Sequence, residues 1–179
     1  MVVTLVQKYN PDWPKWFEEI KRHLGDKLSR SCVRIKHVGS MSIPEMTAKP
    51  IIDLILVINP KRFKEINALL EKRGDKHEGD LGIKGREAFK IEDDYLKNSL
   101  PTHHLYVCPR NSVELVKQSA FRDFLKQNKT YATRLSKMKW TLAERYDNDR
   151  QVYIEGKDEL YREITRIAME QKYSCQTDQ

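Results

Sequence analysis

Residues 50–58 read PIIDLILVI, and Asp53 is the one charged side chain in this run. The run is too short and too rich in isoleucine for a free-standing helix, so it predicts a strand that is buried on both faces. Because alternate residues of a strand face the same side, Asp53 shares one face with Ile55 and Val57. An ionised carboxylate among such neighbours costs roughly several kcal/mol unless a cation, a metal or hydrogen-bond donors meet it. The fold must therefore place a polar partner beside this strand.

The turn that precedes this strand is one possible partner. Residues 33–38, VRIKHV, alternate apolar and polar side chains as a half-buried strand does, and Gly39, Ser40 and Ser42 follow them. The amides and hydroxyls of the turn can donate to Asp53. They can also bind a phosphate, because glycine lets the backbone approach a ligand closely. We therefore treat the turn as a candidate phosphate-binding element.

A cation or a metal ion can also compensate Asp53. The two candidate cations stand at the starts of predicted strands and are Lys49 and Arg86. A metal would need further ligands, which the imidazoles of His104 and His37 can provide, and imidazole suits zinc or manganese better than magnesium. His103 and His104 are neighbours in a predicted strand, so their rings face opposite sides of the sheet and at most one can join Asp53.

The remaining patterns predict an α+β domain over residues 1–179. The first helix has an acidic cap, a proline in its first turn and a closing glycine. The predicted elements are a helix over 12–25, strands over 33–38 and 50–58, a helix over 63–74, two or three strands within 75–108, and three helices over 111–172 with breaks near 128–130 and 147–150. This order indicates a mixed sheet within about 33–108 and a C-terminal helical layer over about 111–172.

Positive charge is concentrated in one segment of the predicted helical layer. The chain has a formal net charge of +7. Between residues 117 and 139, basic side chains outnumber the single acid Asp123, and aromatic side chains are interleaved with them. Such a stripe can bind RNA through its lysines, among them Lys126 and Lys129. The aromatic residues recur near helical spacing, however, which is typical of the core-facing side of a helix.

The N-terminal sequence MVVTLVQKYNPDWP has no basic start and no small-residue cleavage site, so it does not predict a secretory signal. No uncharged run approaches the roughly 18 residues of a membrane span. We therefore expect a cytoplasmic protein with no membrane partner.

Several segments resemble the GrpB family, and they follow the order of that family along nearly the whole chain. They are YNPDWP at 9–14, HVGSMSIP at 37–44, AKPIID at 48–53, THHLYV at 102–107, FRDFL at 121–125, and Tyr153 with Lys157. The combination of H-V-G-S-x-S-x-P with A-K-P-I-I-D is specific. The resemblance implies a fold similar to the polymerase-β type of nucleotidyltransferase, in which a glycine-serine turn precedes a strand that carries Asp-x-Asp/Glu.

In those enzymes the turn holds the phosphates of the nucleotide, while paired carboxylates bind two magnesium ions. Gly39, Ser40 and Asp53 match this pattern, but Ile55 stands where the second acid is expected. The strand that supplies a third carboxylate in such enzymes carries His104 here. One carboxylate cannot supply a two-metal centre, so the resemblance leaves catalysis open.

The chain also departs from its family at two further positions. Glu45 stands where glycine is commoner, and Tyr106 stands where histidine is commoner. Glu45 adds a carboxylate close in sequence to the turn, and we consider whether it restores acidity there.

Three functions are compatible with these patterns. The first is a nucleotidyl or phosphoryl transferase in which Asp53 and His104 position a divalent Mg, Mn or Zn ion. The turn would then hold phosphates, while Lys49 and Arg86 neutralise charge in the transition state. The second is a module that has lost catalysis and only binds a nucleotide or another phosphate-bearing ligand. The third is RNA binding through the basic stripe.

Overall fold

A computed structural model of the chain describes residues 6–146 and 149–177, apart from the side chains of Arg150 and of residues 175–177. The strands of the described part are β1 (Arg34–Val38), β2 (Ile52–Ile58), β3 (Asp75–Gly79), β4 (Glu87–Ile91) and β5 (His103–Pro109). Its helices are α1 (Trp13–Ser31), α2 (Phe63–Arg73), α3 (Asp94–Ser99), α4 (Val113–Gln127), α5 (Lys129–Arg145) and α6 (Arg150–Thr177).

The strands form one mixed sheet in the order β1-β2-β5-β4-β3. The central strands β2 and β5 are parallel, and the other neighbouring strands are antiparallel. The buried strand predicted over residues 50–58 is therefore β2, which has a hydrogen-bonded neighbour on each side. The mixed sheet and the predicted α+β class are confirmed.

Helices cover both faces of the sheet. On one face α1 and α2 pack against Leu54 and Leu56 of β2. On the other face Leu115 of α4 packs against Ile55 and Val57, and α5 and α6 pack on α4 as the predicted C-terminal helical layer. This alternation along β2 places Asp53 on the face that carries the C-terminal helices.

Two local features differ from the sequence patterns. The first helix was expected to end at Gly25, but α1 runs to Ser31 with non-helical angles at Gly25 (φ 78°, ψ 162°). The glycine kinks the helix, and burial of Leu28 in the core continues it beyond the kink. The polar segment after β4 contains the short helix α3, which begins where the side chain of Asp93 accepts a hydrogen bond from the Leu96 amide. The break predicted near 147–150 includes residues 147 and 148, which lie outside the described residues.

Candidate functional site

Asp53 and His104 are brought together by the pairing of β2 with β5. The two residues are register partners, and Asp53 Oδ1 lies 2.9 Å from His104 Nδ1. Because an ionised carboxylate only accepts, the imidazole Nδ1–H donates and Nε2 is left for another partner. The side chains are 29% and 52% exposed, so the pair is open to solvent. His103 faces away, with Nδ1 2.8 Å from the carbonyl oxygen of Pro101, as strand alternation requires.

The turn after β1 lies directly against the Asp53 carboxylate. Val38 is the register partner of Asp53, so the chain turns at Gly39 beside it. Gly39 has φ 69° and ψ −176°, a conformation that is essentially restricted to glycine. A Cβ at this position would clash with Asp53 Oδ2. The absence of a side chain at residue 39 therefore permits the close approach.

The two serines of the turn have different partners. Ser42 Oγ donates to the carbonyl oxygen of Gly39 at 2.6 Å and so closes the turn on itself. Ser40 Oγ accepts from the ammonium group of Lys139 at 2.5 Å. Gly39 and Ser40 contribute to the wall of a pocket at Asp53, whereas Ser42 supports the turn.

A pocket of about 200 Å³ opens at Asp53. We call it the Asp53 pocket, and it is lined by Val38, Gly39, Ser40, Asp53, Ile55, Arg86, Tyr106, Gln118, Lys157 and Tyr161. Among these described residues Asp53 is the one carboxylate, and Arg86 and Lys157 are cationic. The polar partner that β2 was predicted to need is therefore a mixed environment of turn, imidazole and basic side chains.

The cations that accompany Asp53 in the pocket are Arg86, which was predicted, and Lys157. The other predicted cation, Lys49, is not among them. The guanidinium of Arg86 lies 4.3 Å from the ring centre of Tyr106, which fixes its position in the pocket wall. Burial lowers the pKa of Lys157, and the negative charge of Asp53 opposes that shift. Lys49 lies over the ring of Tyr153 instead, with Nζ 4.7 Å from the ring centre, and does not line the pocket.

Lys139 supports the turn from behind the pocket. Its side chain is 3% exposed, and besides Ser40 it donates to the carbonyl oxygen of Thr47 at 3.3 Å. Burial, together with the nearby charge of Lys157, lowers its pKa to about 7, and the negative charge of Asp53 opposes the shift. Near neutral pH this amine is therefore divided between its charged and neutral forms.

The two phenols of the Asp53 pocket are hydrogen-bond donors at physiological pH. Burial raises the pKa of both Tyr106 and Tyr161, and the charge of Asp53 raises each further. Each hydroxyl therefore keeps its proton and can donate to an anionic ligand.

His37, predicted as a possible metal ligand, lies on the opposite face of the sheet from Asp53. Its register partner is Leu54, and its ring stacks on Phe17 of α1 with centroids 4.7 Å apart. Burial lowers the pKa of His37 to about 4, so the ring is neutral there. The structure brings His104, but not His37, to Asp53. Within residues 6–146 and 149–177 no three His, Cys, Asp or Glu side chains are grouped so that they could hold a metal ion.

Glu45 does not add acidity to the pocket. Its carboxylate is exposed and lies 3.8 Å from Lys129 Nζ, on a different part of the surface. Its backbone has φ 63°, in the left-handed region where glycine is favoured. This conformation explains why glycine is commoner than glutamate at this position in the GrpB family.

The basic stripe at 117–139 does not form one surface. Lys117 lines a groove between α4 and α6, Lys129 lies near Glu45, and Lys139 is buried. The interleaved aromatic residues pack in the helical core, as their spacing indicated, with Phe121 and Phe124 buried.

Four pocket or turn-supporting residues were not identified as site candidates from the sequence: Tyr106, Gln118, Lys139 and Tyr161. The signal for Lys139 was its place on a buried helical face, between Leu135 and Ala143 at four-residue spacing. Lys157 had been noted only as part of a family motif, and it lies four residues after the buried Tyr153 on α6. A lysine on the apolar stripe of a helix is the pattern that could have revealed both.

No helix in the described part of the chain combines the length and apolar character needed to cross a membrane.

Known proteins are similar to this chain in sequence. A family model described as GrpB protein matches residues 3–166. UPF0157 protein YqkA of Bacillus subtilis is 30% identical over 152 residues, which cover 84% of this chain and 43% of YqkA. UPF0157 protein BH1888 of Halalkalibacterium halodurans is 29% identical over 167 residues, which cover 93% of this chain and 82% of that protein. The chain thus spans less than half of one relative and most of the other.

Solved structures extend the comparison to the fold. The conserved protein GrpB from Enterococcus faecalis superposes with a TM-score of 0.79 at 27% identity, covering 94% of this chain and 99% of that one. Cid1 poly(U) polymerase, in a structure with the UTP analogue UMPNPP, gives a TM-score of 0.53 at 15% identity, covering 80% of this chain and 43% of Cid1. At that identity the likeness shows a shared nucleotidyltransferase-type fold.

Proposed function

Because the chain belongs to the GrpB family and has a nucleotidyltransferase-type fold, we propose that it binds a nucleotide or another phosphate-bearing ligand in the Asp53 pocket. The observation that carries the proposal is the charge of this pocket. Arg86 and Lys157 outnumber the single carboxylate among its described lining residues, and Lys139 adds partial charge from behind the turn. A pocket with this balance attracts an anion.

The other lining groups complete a phosphate site. The Tyr106 and Tyr161 hydroxyls stay protonated and can donate, and the Arg86 guanidinium offers several N–H groups to phosphate oxygens. Gly39 allows the backbone of the turn to face a ligand without a side chain in between. At about 200 Å³ the pocket is smaller than most ligand pockets, so it suits one or two phosphate groups.

The residues present do not fit a resident two-metal centre. Asp53 and His104 offer two ligand atoms, and the cations Arg86 and Lys157 share the same pocket. A divalent ion needs more oxygen or nitrogen ligands than this pair supplies, so it would have to arrive bound to the phosphates of the nucleotide. Phosphate binding by the protein itself requires no metal.

Nucleotidyl transfer is the second candidate function, and the Asp53–His104 pair favours it. The hydrogen bond to Asp53 orients the imidazole, and His104 is half exposed, so its Nε2 can take a proton from an attacking hydroxyl group. Tight phosphate binding at Arg86 and Lys157 would hold the reacting nucleotide beside it.

Calorimetric titration with UTP, ATP and pyrophosphate, with and without Mg²⁺ or Mn²⁺, tests the binding proposal. We expect Arg86→Met and Lys157→Met each to weaken binding by about tenfold, because each removes a charge-assisted hydrogen bond. Lys64→Met is the matched control, since Lys64 is exposed on α2 across the sheet. Wild-type protein that binds none of these ligands, or pocket variants that bind like the control, would refute the proposal.

Asp53→Asn separates the two candidate functions. Loss of the one carboxylate makes the pocket more positive, so phosphate affinity should be retained or increased if the protein only binds. If the protein transfers nucleotides, labelled product should form with wild-type protein and disappear with Asp53→Asn, although the nucleotide still binds. Thermal unfolding of both proteins must remain cooperative for this comparison.

A further inference from the structure

A second and larger depression adjoins the Asp53 pocket. It is a groove of about 1060 Å³ between residues 82–86 and the helices α4 and α6, and we call it the α4–α6 groove. Three residues line both sites, namely Arg86, Gln118 and Tyr161. The groove and the pocket therefore share a wall, and a ligand held in one can extend into the other.

The charge of the groove is strongly positive. Its cationic side chains are Lys84, Arg86, Lys117, Arg162 and Arg166. The described carboxylates that line it are those of Glu114 and Asp158, and each lies near a cation of its own helix. Three positive charges thus remain in excess over these two carboxylates. Arg166 is also paired with Glu170 of its own helix, with Nη1 2.8 Å from Oε1, and the side chains of Lys117 and Arg166 are 47% and 64% exposed.

Apolar side chains lie between these cations. Ile83, Val113 and Met169 line the groove, and Val113 is 66% exposed although it is apolar. An apolar surface bordered by cations suits a nucleobase flanked by phosphates, because the base covers the apolar surface while the phosphates meet the charges. The volume of the groove lies at the upper end of the roughly 300–1,000 Å³ of typical small-molecule pockets.

We propose that the α4–α6 groove binds the rest of a ligand that contains at least two nucleotide units, with one phosphate group in the Asp53 pocket. This inference rests on the proposed function, because it takes phosphate binding at Arg86 and Lys157 as its starting point. Two sources share this chemistry: the end of a single-stranded oligonucleotide and a dinucleotide coenzyme. Lys117 and Arg166 contact phosphates of the second unit, and Val113 contacts its base.

Fluorescence anisotropy with labelled hexauridylate and calorimetry with UTP and NAD test this inference. The groove variant carries Lys117→Glu and Arg166→Glu. The matched control carries Lys64→Glu and Lys72→Glu, which make the same charge change on exposed positions of α2 across the sheet. We expect the groove variant to bind hexauridylate at least about tenfold more weakly and UTP less than about twofold more weakly. Loss of two phosphate contacts should also make the slope of log K against log salt concentration less steep by about 1.4.

The outcomes distinguish the inference from its premise. Wild-type protein that binds neither UTP nor pyrophosphate refutes the proposed function. Wild-type protein that binds UTP as tightly as both longer ligands refutes only the groove inference. The groove inference alone is also refuted if the groove variant loses affinity for UTP and for hexauridylate equally. It is likewise refuted if the control variant loses as much affinity as the groove variant. A groove-dependent loss of NAD alone supports the inference and identifies the coenzyme class, and a loss of hexauridylate alone identifies the strand end.

Discussion

Replacement of Lys139 by methionine should stabilise the protein at neutral pH. In the folded state the pKa of this lysine falls from its ordinary value of 10.5 to about 7. At about 1.4 kcal/mol per pH unit, this fall lowers the free energy of unfolding at pH 7 by about 4–5 kcal/mol. Methionine removes this penalty but leaves Ser40 Oγ and the Thr47 carbonyl without their donor, which costs roughly 1–3 kcal/mol. We therefore expect the free energy of unfolding to rise by about 1–4 kcal/mol.

The sign of the pH dependence follows from the direction of the shift. Between pH 7 and pH 10.5 the unfolded chain holds a proton on Lys139 that the folded chain has released. Stability therefore rises with pH in this window, because the unfolded state binds more protons. The advantage of Lys139→Met over wild type should shrink by about 2 kcal/mol between pH 7 and pH 9.

Urea unfolding followed by far-UV circular dichroism at pH 7, 8 and 9 measures both effects. Lys64→Met is the control, because Lys64 is exposed and its substitution should leave the difference from wild type independent of pH. A stability difference between wild type and Lys139→Met that stays constant over this range would refute the reasoning, since the amine would then titrate alike in both states. A variant less stable than wild type at pH 7 would show that the hydrogen bonds outweigh burial.

Three further substitutions test other parts of the structure. Gly39→Ala should cost at least about 1–3 kcal/mol of stability in urea unfolding and weaken pyrophosphate binding, because the backbone conformation excludes a side chain and the Cβ meets Asp53. Glu45→Gly should stabilise the protein by about 1 kcal/mol in the same assay, since it relieves a positive φ on an exposed turn; an unchanged midpoint would contradict this. Asp75→Asn should cost about 3–5 kcal/mol while ligand affinity in the folded protein is unchanged, because it breaks a buried two-bond pair with Arg73 far from the pocket.

The sequence predicted which strand-borne side chains of the candidate site lie close together. The alternation of β2 and the glycine-serine turn identified Asp53, Gly39 and Ser40, and pairing of neighbouring strands brought His104 to them. These relations follow from the two-residue period of a strand and from the pairing of Val38 with Asp53, which places the turn at Gly39 beside the carboxylate. Arg86 was likewise expected from its place at the start of a strand.

The helix-borne half could not be predicted in the same way. Lys139 and Lys157 lie more than 80 residues after Asp53, and their contacts depend on how α5 and α6 pack rather than on any local period. Lys49 shows the converse, because closeness in sequence to Asp53 suggested a contact that the fold directs instead to Tyr153. His37 was predicted as a possible ligand beside Asp53, but its register partner is Leu54. Because a shift of one residue along a strand exchanges the two faces of the sheet, its ring lies on the opposite face from Asp53.

Residues of both β2 and α6 line the Asp53 pocket, so the pocket is incomplete until both elements have been synthesised. A nascent chain that has exposed only the sheet presents Asp53 with the turn and with His104, but Lys157 and Tyr161 are still inside the ribosome. Until α6 emerges and docks, Asp53 has Arg86 beside it but not Lys157, so the pocket lacks its excess of positive charge. The proposed phosphate binding would therefore be coupled to the docking of α6, and a phosphate ligand added during translation would report that event.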